Sequence, residues 1–233
     1  MAFTVKWLGQ GGFELSDGEA AIMIDPYLSD MVERVDGVKR MVQAPVKPKD
    51  AHPDLYIITH DHMDHLDEDT LSVMDKKGVL FAAPDSCHAK LIELGVKKDD
   101  IIPFNRETVT TYKGFELHAV YAKHTADSIG VVVEKDGIKA YFTGDSELTN
   151  EVGENILCDI LFTCINGKWG NMGIDDALIL AERVQAKVGV PNHYGLFAEN
   201  TADPVPFIEG LEKANKKGYL MTLGKVFELA DLL

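Results

Sequence analysis

The chain is poor in cysteine, in cationic side chains and in long apolar runs. Its three cysteines, Cys87, Cys158 and Cys164, form no CxxC pair, which argues against a disulfide framework and favours a reducing compartment. No run approaches the roughly 18 apolar residues that span a bilayer, and the first residues show neither a basic flank nor a cleavage signal. We therefore expect a cytoplasmic protein with no membrane partner.

The charge balance excludes a second class of partner. Lys and Arg number 23 against 38 Asp and Glu, for a net charge of −15. Nucleic acids bind clustered Lys and Arg, so we expect no nucleic-acid partner and a small-molecule substrate instead. The 233 residues, 45% of them hydrophobic, suffice for one sizeable core. We predict a single domain over residues 1–233, with a homo-oligomer left open.

Histidine is concentrated in one segment. Eight histidines in 233 residues would place roughly 0.2 histidine in a window of six, yet residues 60–65 hold His60, His62 and His65, with Asp64 between the last two. On a helix His60 and His62 point nearly opposite ways, and on a strand His65 leaves the shared face. The segment is therefore predicted to be a metal-binding loop, which follows a buried strand at 54–59.

Three more candidate ligands follow predicted strands. His124 follows strand 115–121, Asp145 follows strand 138–143, and His193 follows the strand that begins at 188. Open α/β sheets bind ligands at the carboxyl ends of their strands, so we expect these residues to converge on the loop at 60–65. The other histidines are interpreted as structural: His52, His88 and His118.

Clusters of strands alternate with helices along the chain. Further predicted strands are 3–8, 12–15, 20–25, 128–134 and 159–165, with three or four strands in the region 99–143. Three helices are predicted, the first at 67–76 and the last at 175–187. The second begins at Pro84 and ends at Gly95, and its side chains Leu91, Ile92 and Leu94 are expected to point inward. Two β-rich portions, each followed by helices, predict two sheets packed face to face with the helices outside.

The run from His60 to His65 matches the HxHxDH pattern of the metallo-β-lactamase superfamily, and the chain resembles that family over most of its length. The resemblance implies an α/β (α+β) fold, a four-layer αββα sandwich of two mixed sheets. It also implies two groups of ligands, bridged by Asp145: His60, His62 and His124 for one ion, and Asp64, His65 and His193 for the other. Asp25 matches the family's leading aspartate, and we expect it to accept the free N–H of a ligating histidine.

Imidazole and carboxylate ligands without a thiolate suit Zn²⁺ or Mn²⁺, and also Fe²⁺, so we expect one or two divalent ions per chain. Such ions lower the pKa of bound water. We predict a metal-dependent hydrolase that uses a metal-bound hydroxide, with Asp64 as both ligand and catalytic base.

Three segments are most similar to the superfamily branch that includes L-ascorbate-6-phosphate lactonase: residues 6–12, 60–67 and 144–146. The resemblance implies a small ester or lactone, with or without a phosphate, as substrate. We predict that the loop after strand 159–165 contacts it through Asn166, Lys168 and Trp169, with Lys168 on an anionic group. Weaker candidates are Lys123, Asn192 and Tyr194. The alternatives are a phosphodiesterase of the same superfamily, a di-iron redox protein, an RNA-processing nuclease and a metal-binding module without catalysis.

Overall fold

A computed structural model describes residues 2–233, within which fourteen strands form two seven-stranded sheets. The strands of the first sheet are β1 (Thr4–Gly9), β2 (Gly12–Ser16), β3 (Ala21–Ile24), β4 (Leu55–Ile57), β5 (Leu80–Ala83), β6 (Ile101–Pro103) and β14 (Val226–Glu228). Those of the second are β7 (Val109–Tyr112), β8 (Phe115–Tyr121), β9 (Ile129–Lys135), β10 (Ile138–Phe142), β11 (Ile160–Cys164), β12 (Val188–Asn192) and β13 (Lys217–Gly218).

The helices are short. They are α1 (Met31–Asp36), α2 (Glu68–Val73), α3 (Asp85–Glu93), α4 (Ile174–Arg183), α5 (Val205–Lys213) and α6 (Leu229–Leu232), and 3₁₀ turns occur at Pro48–Asp50 and Lys98–Asp100. Within residues 2–233, none of the helices has the length and apolar composition needed to cross a membrane.

Both sheets are mixed and follow the same plan. The first has the spatial order β14-β1-β2-β3-β4-β5-β6, and the second has the order β13-β12-β11-β10-β9-β8-β7. The first is antiparallel from β14 to β3 and parallel from β3 to β6. The second is antiparallel from β7 to β10 and parallel from β10 to β13. The parallel strands β4 and β12 therefore end in loops that can hold ligands.

Apolar side chains divide the molecule into four layers. The inner faces of the two sheets meet in one core, where Phe142 stacks on Phe162 with ring centroids 4.4 Å apart. The outer face of the first sheet packs on α2 and α3 through Leu71 and Leu91, and the outer face of the second packs on α4 and α5 through residues such as Leu180. This αββα sandwich confirms the predicted fold class.

The first predicted helix is shorter than the sequence pattern suggested. The segment 67–76 is helical only from Glu68 to Val73, because Asp67 is the N-cap, whose side chain accepts from the Thr70 N–H, and because Met74 is extended. In α3 the predicted inward orientation is wrong for Ile92, which is 48% exposed, whereas Leu91 is buried.

The remaining differences concern element ends and number. The predicted helix 175–187 ends at Arg183. The region 99–143 contains five strands rather than three or four. The extra ones are short edge strands, such as β6, which alternate too briefly to be recognised by pattern.

Candidate metal centre

The carboxyl ends of strands from both sheets converge on one site. Asp25 follows β3 and the loop with His60 follows β4 in the first sheet, while Asp145 and His193 follow β10 and β12 in the second. Gly144 makes this approach possible, because at its φ of +59° a Cβ would lie 2.9 Å from the Ile129 carbonyl oxygen. The structure thus brings together all seven side chains that were predicted to bind metal.

Three imidazoles form the first group of potential ligands. One ring nitrogen from each of His60, His62 and His124 lies within 4.8 Å of the others. His124 Nε2 is 3.0 Å from His62 Nδ1, and its other nitrogen, Nδ1, is 3.0 Å from the carbonyl oxygen of Gly170. Because a carbonyl only accepts, His124 Nδ1 carries the proton and Nε2 presents its lone pair to the group.

The second group combines carboxylates with imidazoles. Asp64, His65 and His193 lie within 4.8 Å of one another. His193 Nε2 is 3.1 Å from Asp145 Oδ1 and 3.5 Å from Asp64 Oδ2. Asp145 lies between the groups, since its Oδ1 is 3.3 Å from His65 Nε2 and its Oδ2 is 3.7 Å from His124 Nε2.

A single buried carboxylate orients one histidine of each group. Asp25 Oδ2 is 2.7 Å from His65 Nδ1 and accepts from Thr59 Oγ1 at 2.6 Å, while Asp25 Oδ1 accepts from the Thr59 N–H at 2.8 Å. Thr59 Oγ1 is in turn 3.0 Å from His60 Nδ1. Because the hydroxyl donates to Asp25, it accepts from His60. Both rings therefore carry a proton on Nδ1 and direct Nε2 into the cluster, so that Nε2 is the atom that can bind a metal once it carries no proton.

Two amide side chains hold the other carboxylates. Gln10 Nε2 donates to Asp64 Oδ2 at 2.9 Å, and Asn171 Nδ2 donates to Asp145 Oδ2 at 2.9 Å. The backbone carbonyl of Gln10 also accepts from the His193 N–H at 3.0 Å. The sequence interpretation missed Thr59, Gln10 and Asn171. The available signals were a threonine beside the first ligand and a long polar side chain within a glycine-rich turn.

The cluster fits a divalent cation. His60 Nε2, His65 Nε2 and Asp145 Oδ1 are buried and have no hydrogen-bond partner within residues 2–233. Unpaired buried polar atoms are costly in a folded protein, and a cation would satisfy all three at once. Tetrahedral ligands about 2.1 Å from a zinc ion lie roughly 3.4 Å from one another, which is close to the separations of 3.0 to 3.7 Å described above.

The electrostatics of the cluster also suit a cation. Burial lowers the pKa of His60 well below its usual value, so the ring is neutral. Burial alone would lower the pKa of His193 as well, but the negative charges of Asp145 and Asp64 beside the ring raise it to about 9. Burial alone would raise the pKa of Asp145, yet the charges of His193 and His65 hold it well below the usual range. The carboxylates are therefore ionised and attract positive charge.

Other titratable side chains stay outside the cluster. Burial raises the pKa of the Cys164 thiol to about 12, and its Sγ lies 3.7 Å from the carbonyl oxygen of Ser146, so it supplies no thiolate. His88 Nε2 lies 2.9 Å from the carbonyl oxygen of Ala83, and His118 lies half-buried on β8. Neither belongs to a metal-binding group among the described residues.

A cleft of about 300 Å³ opens above the cluster. The potential ligands His62, Asp64, His124 and Asp145 line its floor, and the remaining lining residues are Val32, Asp36, Asp61, Met63, Trp169, Phe197 and Asn200. Of the three predicted substrate contacts, only Trp169 lines the cleft. Lys168 Nζ donates to the Glu199 carbonyl at 2.9 Å, and Asn166 is buried and donates to Asn200 Oδ1.

The weaker substrate candidates also lie elsewhere. Lys123 is exposed and pairs through its backbone with Glu147. Asn192 is buried at the end of β12, and the ring of Tyr194 stacks on Trp7 at 5.1 Å. None of the three lines the cleft in the described part of the chain.

Comparison with known proteins agrees with this geometry. The profile of the "Beta-lactamase superfamily domain" matches residues 21–194, which include every potential ligand described above. The chain belongs to the β-lactamase superfamily. This superfamily member is 29% identical over 234 residues to a "UPF0173 metal-dependent hydrolase" of Sulfurisphaera tokodaii, covering 97% of this chain and 99% of the relative.

A further relative and a solved structure extend the comparison. A "UPF0173 metal-dependent hydrolase" of Archaeoglobus fulgidus is 28% identical, with 87% of this chain and 88% of the relative covered. Igni18, a metallo hydrolase from Ignicoccus hospitalis, superposes with a TM-score of 0.80 at 24% identity over 98% of this chain and 100% of that protein. The likeness to Igni18 shows that this superfamily member has the metallo-β-lactamase fold.

Proposed function

We propose that the protein is a metal-dependent hydrolase that cleaves small esters or lactones. The observation that carries the proposal is the convergence of buried, unpaired ligand atoms from His60, His65 and Asp145 next to an open cleft that Asp145 itself lines. Relatives of nearly equal length that carry the name metal-dependent hydrolase support it.

We assign the two ligand groups to two cations. His60, His62 and His124 would hold one, Asp64, His65 and His193 the other, and Asp145 would bridge them. Neutral nitrogen and carboxylate ligands without a thiolate suit Zn²⁺ or Mn²⁺, and Fe²⁺ as well. When bound, such ions supply Lewis acidity and lower the pKa of a water molecule toward neutrality.

The residues of the chain position the reacting groups. Burial would raise the pKa of Asp64, but the charges of His65 and His193 hold it well below the usual range. Asp64 is therefore ionised at neutral pH. Its Oδ2 is held by the Gln10 amide, so its other oxygen can orient a water molecule and receive its proton.

In the overall reaction, water oxygen bonds to the carbonyl carbon, the acyl–oxygen bond breaks, and the leaving oxygen takes up a proton. The products are an acid and an alcohol, or a hydroxy acid from a lactone. The apolar and acidic side chains around the cleft leave room for such a substrate above the floor.

Phosphodiester hydrolysis is the second reaction that the sequence left open, and nothing in the cleft favours it. Among residues 2–233, the cleft lining includes no Lys or Arg, the side chains that commonly bind phosphate. RNA processing is further disfavoured by the net charge of −15. A di-iron redox function would be distinguished by stoichiometric iron and a coloured protein.

The test combines metal analysis with activity. The purified protein is analysed for metals, stripped with a chelator, reloaded with Zn²⁺, Mn²⁺ or Fe²⁺, and assayed on carboxylic esters, lactones, thioesters and phosphodiesters. We expect ester or lactone hydrolysis that requires metal and is lost in Asp64→Asn. Asp99→Asn is the matched control, because Asp99 is exposed at the opposite end of the parallel strands. Full turnover by Asp64→Asn at full metal occupancy would contradict the role of Asp64.

A further inference from the structure

The wall of the cleft is apolar on one side. Val32 and Phe197 belong to a small buried cluster with Tyr27, and Met63 packs against that cluster. Phe197 is 1% exposed and its ring lies 5.8 Å from that of Tyr27. These side chains present a fixed apolar surface beside the metal ligands. Such a surface can receive a hydrocarbon or aromatic group but offers no partner to a charged one.

An aromatic side chain stands at another edge of the cleft. Trp169 is 62% exposed and has a φ of +53°, a conformation that is rare for bulky residues. Its loop is fixed after Trp169, because the carbonyl oxygen of Gly170 contacts His124 Nδ1 and Asn171 donates to Asp145, and before it, because Lys168 Nζ donates to the Glu199 carbonyl. An exposed aromatic ring held in a strained conformation next to a site indicates a ligand contact.

The charged groups of the cleft are acidic. Asp36 and Asp61 line it and are exposed, and within residues 2–233 the lining contains no lysine or arginine. Lys168 is engaged with the Glu199 carbonyl. The metal ions would attract the reacting carbonyl group, whereas an anionic substituent held on the apolar wall rather than at the ions would approach two carboxylates and find no cationic side chain, which is unfavourable at low ionic strength.

We propose that this cleft selects an uncharged ester or lactone that carries an apolar, preferably aromatic, substituent and discriminates against phosphorylated and other anionic substrates. The inference rests on the proposed function and names the substrate class of the same site. Trp169 and the wall of Val32, Met63 and Phe197 hold the substituent, while Asp36 and Asp61 exclude anions.

The first experiment compares matched substrates on the metal-loaded protein. An aryl acetate is assayed beside the same compound with a carboxylate or a phosphate on the ring, at low salt. We expect kcat/KM for the uncharged ester to exceed that for either anionic ester by about tenfold or more. Raising the ionic strength should lower the ratio of these two kcat/KM values, because salt screens the exposed carboxylates of the cleft.

The second experiment tests the named residues. Asp36→Asn and Asp61→Asn should each lower the ratio of kcat/KM for the uncharged ester to kcat/KM for the anionic ester by about two- to fivefold. The control Asp99→Asn should leave this ratio unchanged. Trp169→Ala should raise KM for the aryl ester by about tenfold, with little change in kcat. The same variant should affect methyl acetate much less, because that ester has no aromatic group to bind.

The possible outcomes separate the two proposals. Faster turnover of the anionic ester, or a ratio that both Asp→Asn variants leave unchanged, would overturn the substrate class while the hydrolase function stands. Metal-loaded protein that hydrolyses no ester or lactone of any charge would overturn both.

Discussion

The network around Asp25 gives the sharpest prediction. In Asp25→Asn an amide nitrogen replaces one carboxylate oxygen. If that nitrogen takes the place of Oδ2, its N–H groups face two other hydrogen-bond donors, His65 Nδ1 and Thr59 Oγ1, and no acceptor remains between them. If the side chain flips, the nitrogen meets the Thr59 N–H instead. In the first case His65 relieves the conflict by moving its proton to Nε2, which then cannot bind a metal.

The size of the effect follows from the hydrogen bonds that the substitution removes. Asp25 is fully buried, and hydrogen bonds to a charged group contribute about 1.5–3 kcal/mol each. The free energy of unfolding of the metal-free protein should fall by about 2–4 kcal/mol. Loss of a carboxylate that orients a ligating histidine should weaken metal binding about 10- to 100-fold.

Two control variants separate orientation from stability. Thr59→Val removes the hydroxyl between His60 and Asp25 but leaves the contact of Asp25 with His65. It should therefore weaken metal binding mainly at the site that includes His60. Asp67→Asn alters another buried carboxylate, which accepts from the Leu28 and Ser29 N–H groups away from the cluster. It should destabilise the fold without changing the metal affinity.

The assays are urea denaturation of the metal-free variants and competition with a chromophoric chelator for Zn²⁺. Wild-type metal affinity in Asp25→Asn would refute the orienting role. An equal loss of affinity in Asp67→Asn would show that instability, rather than histidine orientation, controls metal binding.

Three further predictions concern the same site and the core. Gln10→Met, which removes the amide that holds Asp64, should weaken Zn²⁺ binding about tenfold in a calorimetric titration; unchanged affinity would contradict this. Because the pKa of His193 is raised from 6.5 to about 9, its protonated form stabilises the metal-free fold fully below pH 6.5, and this contribution is lost as pH rises through 9. A metal must displace that proton, so the Zn²⁺ affinity should increase from pH 7 to 9. The released proton should be detectable by calorimetry in buffers of different ionisation enthalpy, and a Zn²⁺ affinity that does not depend on pH would contradict this prediction. Phe115 lies in the core between the sheets, with its ring 5.5 Å from the Phe3 ring. Phe115→Ala should lower the free energy of unfolding by about 3–5 kcal/mol and leave the metal affinity unchanged. A loss below about 1 kcal/mol would contradict the packing role of Phe115.

Local sequence patterns predicted the fold where they were long. The alternation in residues 115–121 coincides with β8, and most of the predicted helix 175–187 coincides with α4. The patterns failed where tertiary contacts decide. Ile92 has the same apolar character as Leu91, and only the packing of α3 on the sheet determines which of the two is buried.

The sequence predicted the potential metal ligands of the site but only one of the side chains that hold those ligands in place. The potential ligands could be found because ligand chemistry restricts residue type and because each follows a strand. Gln10 and Asn171 were missed, because a polar side chain in a glycine-rich turn or loop does not show which group it contacts. Gln10 contacts Asp64, which is 54 positions away in the chain, and Asn171 contacts Asp145, which is 26 positions away. Lys168 was expected to face a substrate, but its Nζ donates to the Glu199 carbonyl, 31 positions along the chain, a contact that no local pattern indicates.

The central claim is that two divalent cations bind where the ends of strands from both sheets meet. Anomalous diffraction at the zinc edge from a crystal of the zinc-loaded protein tests it most directly. We expect two peaks, each about 2.1 Å from ligand nitrogens, one beside His60, His62 and His124 and the other beside His65 and His193. Zinc bound elsewhere, with no peak beside these histidines, would contradict the account.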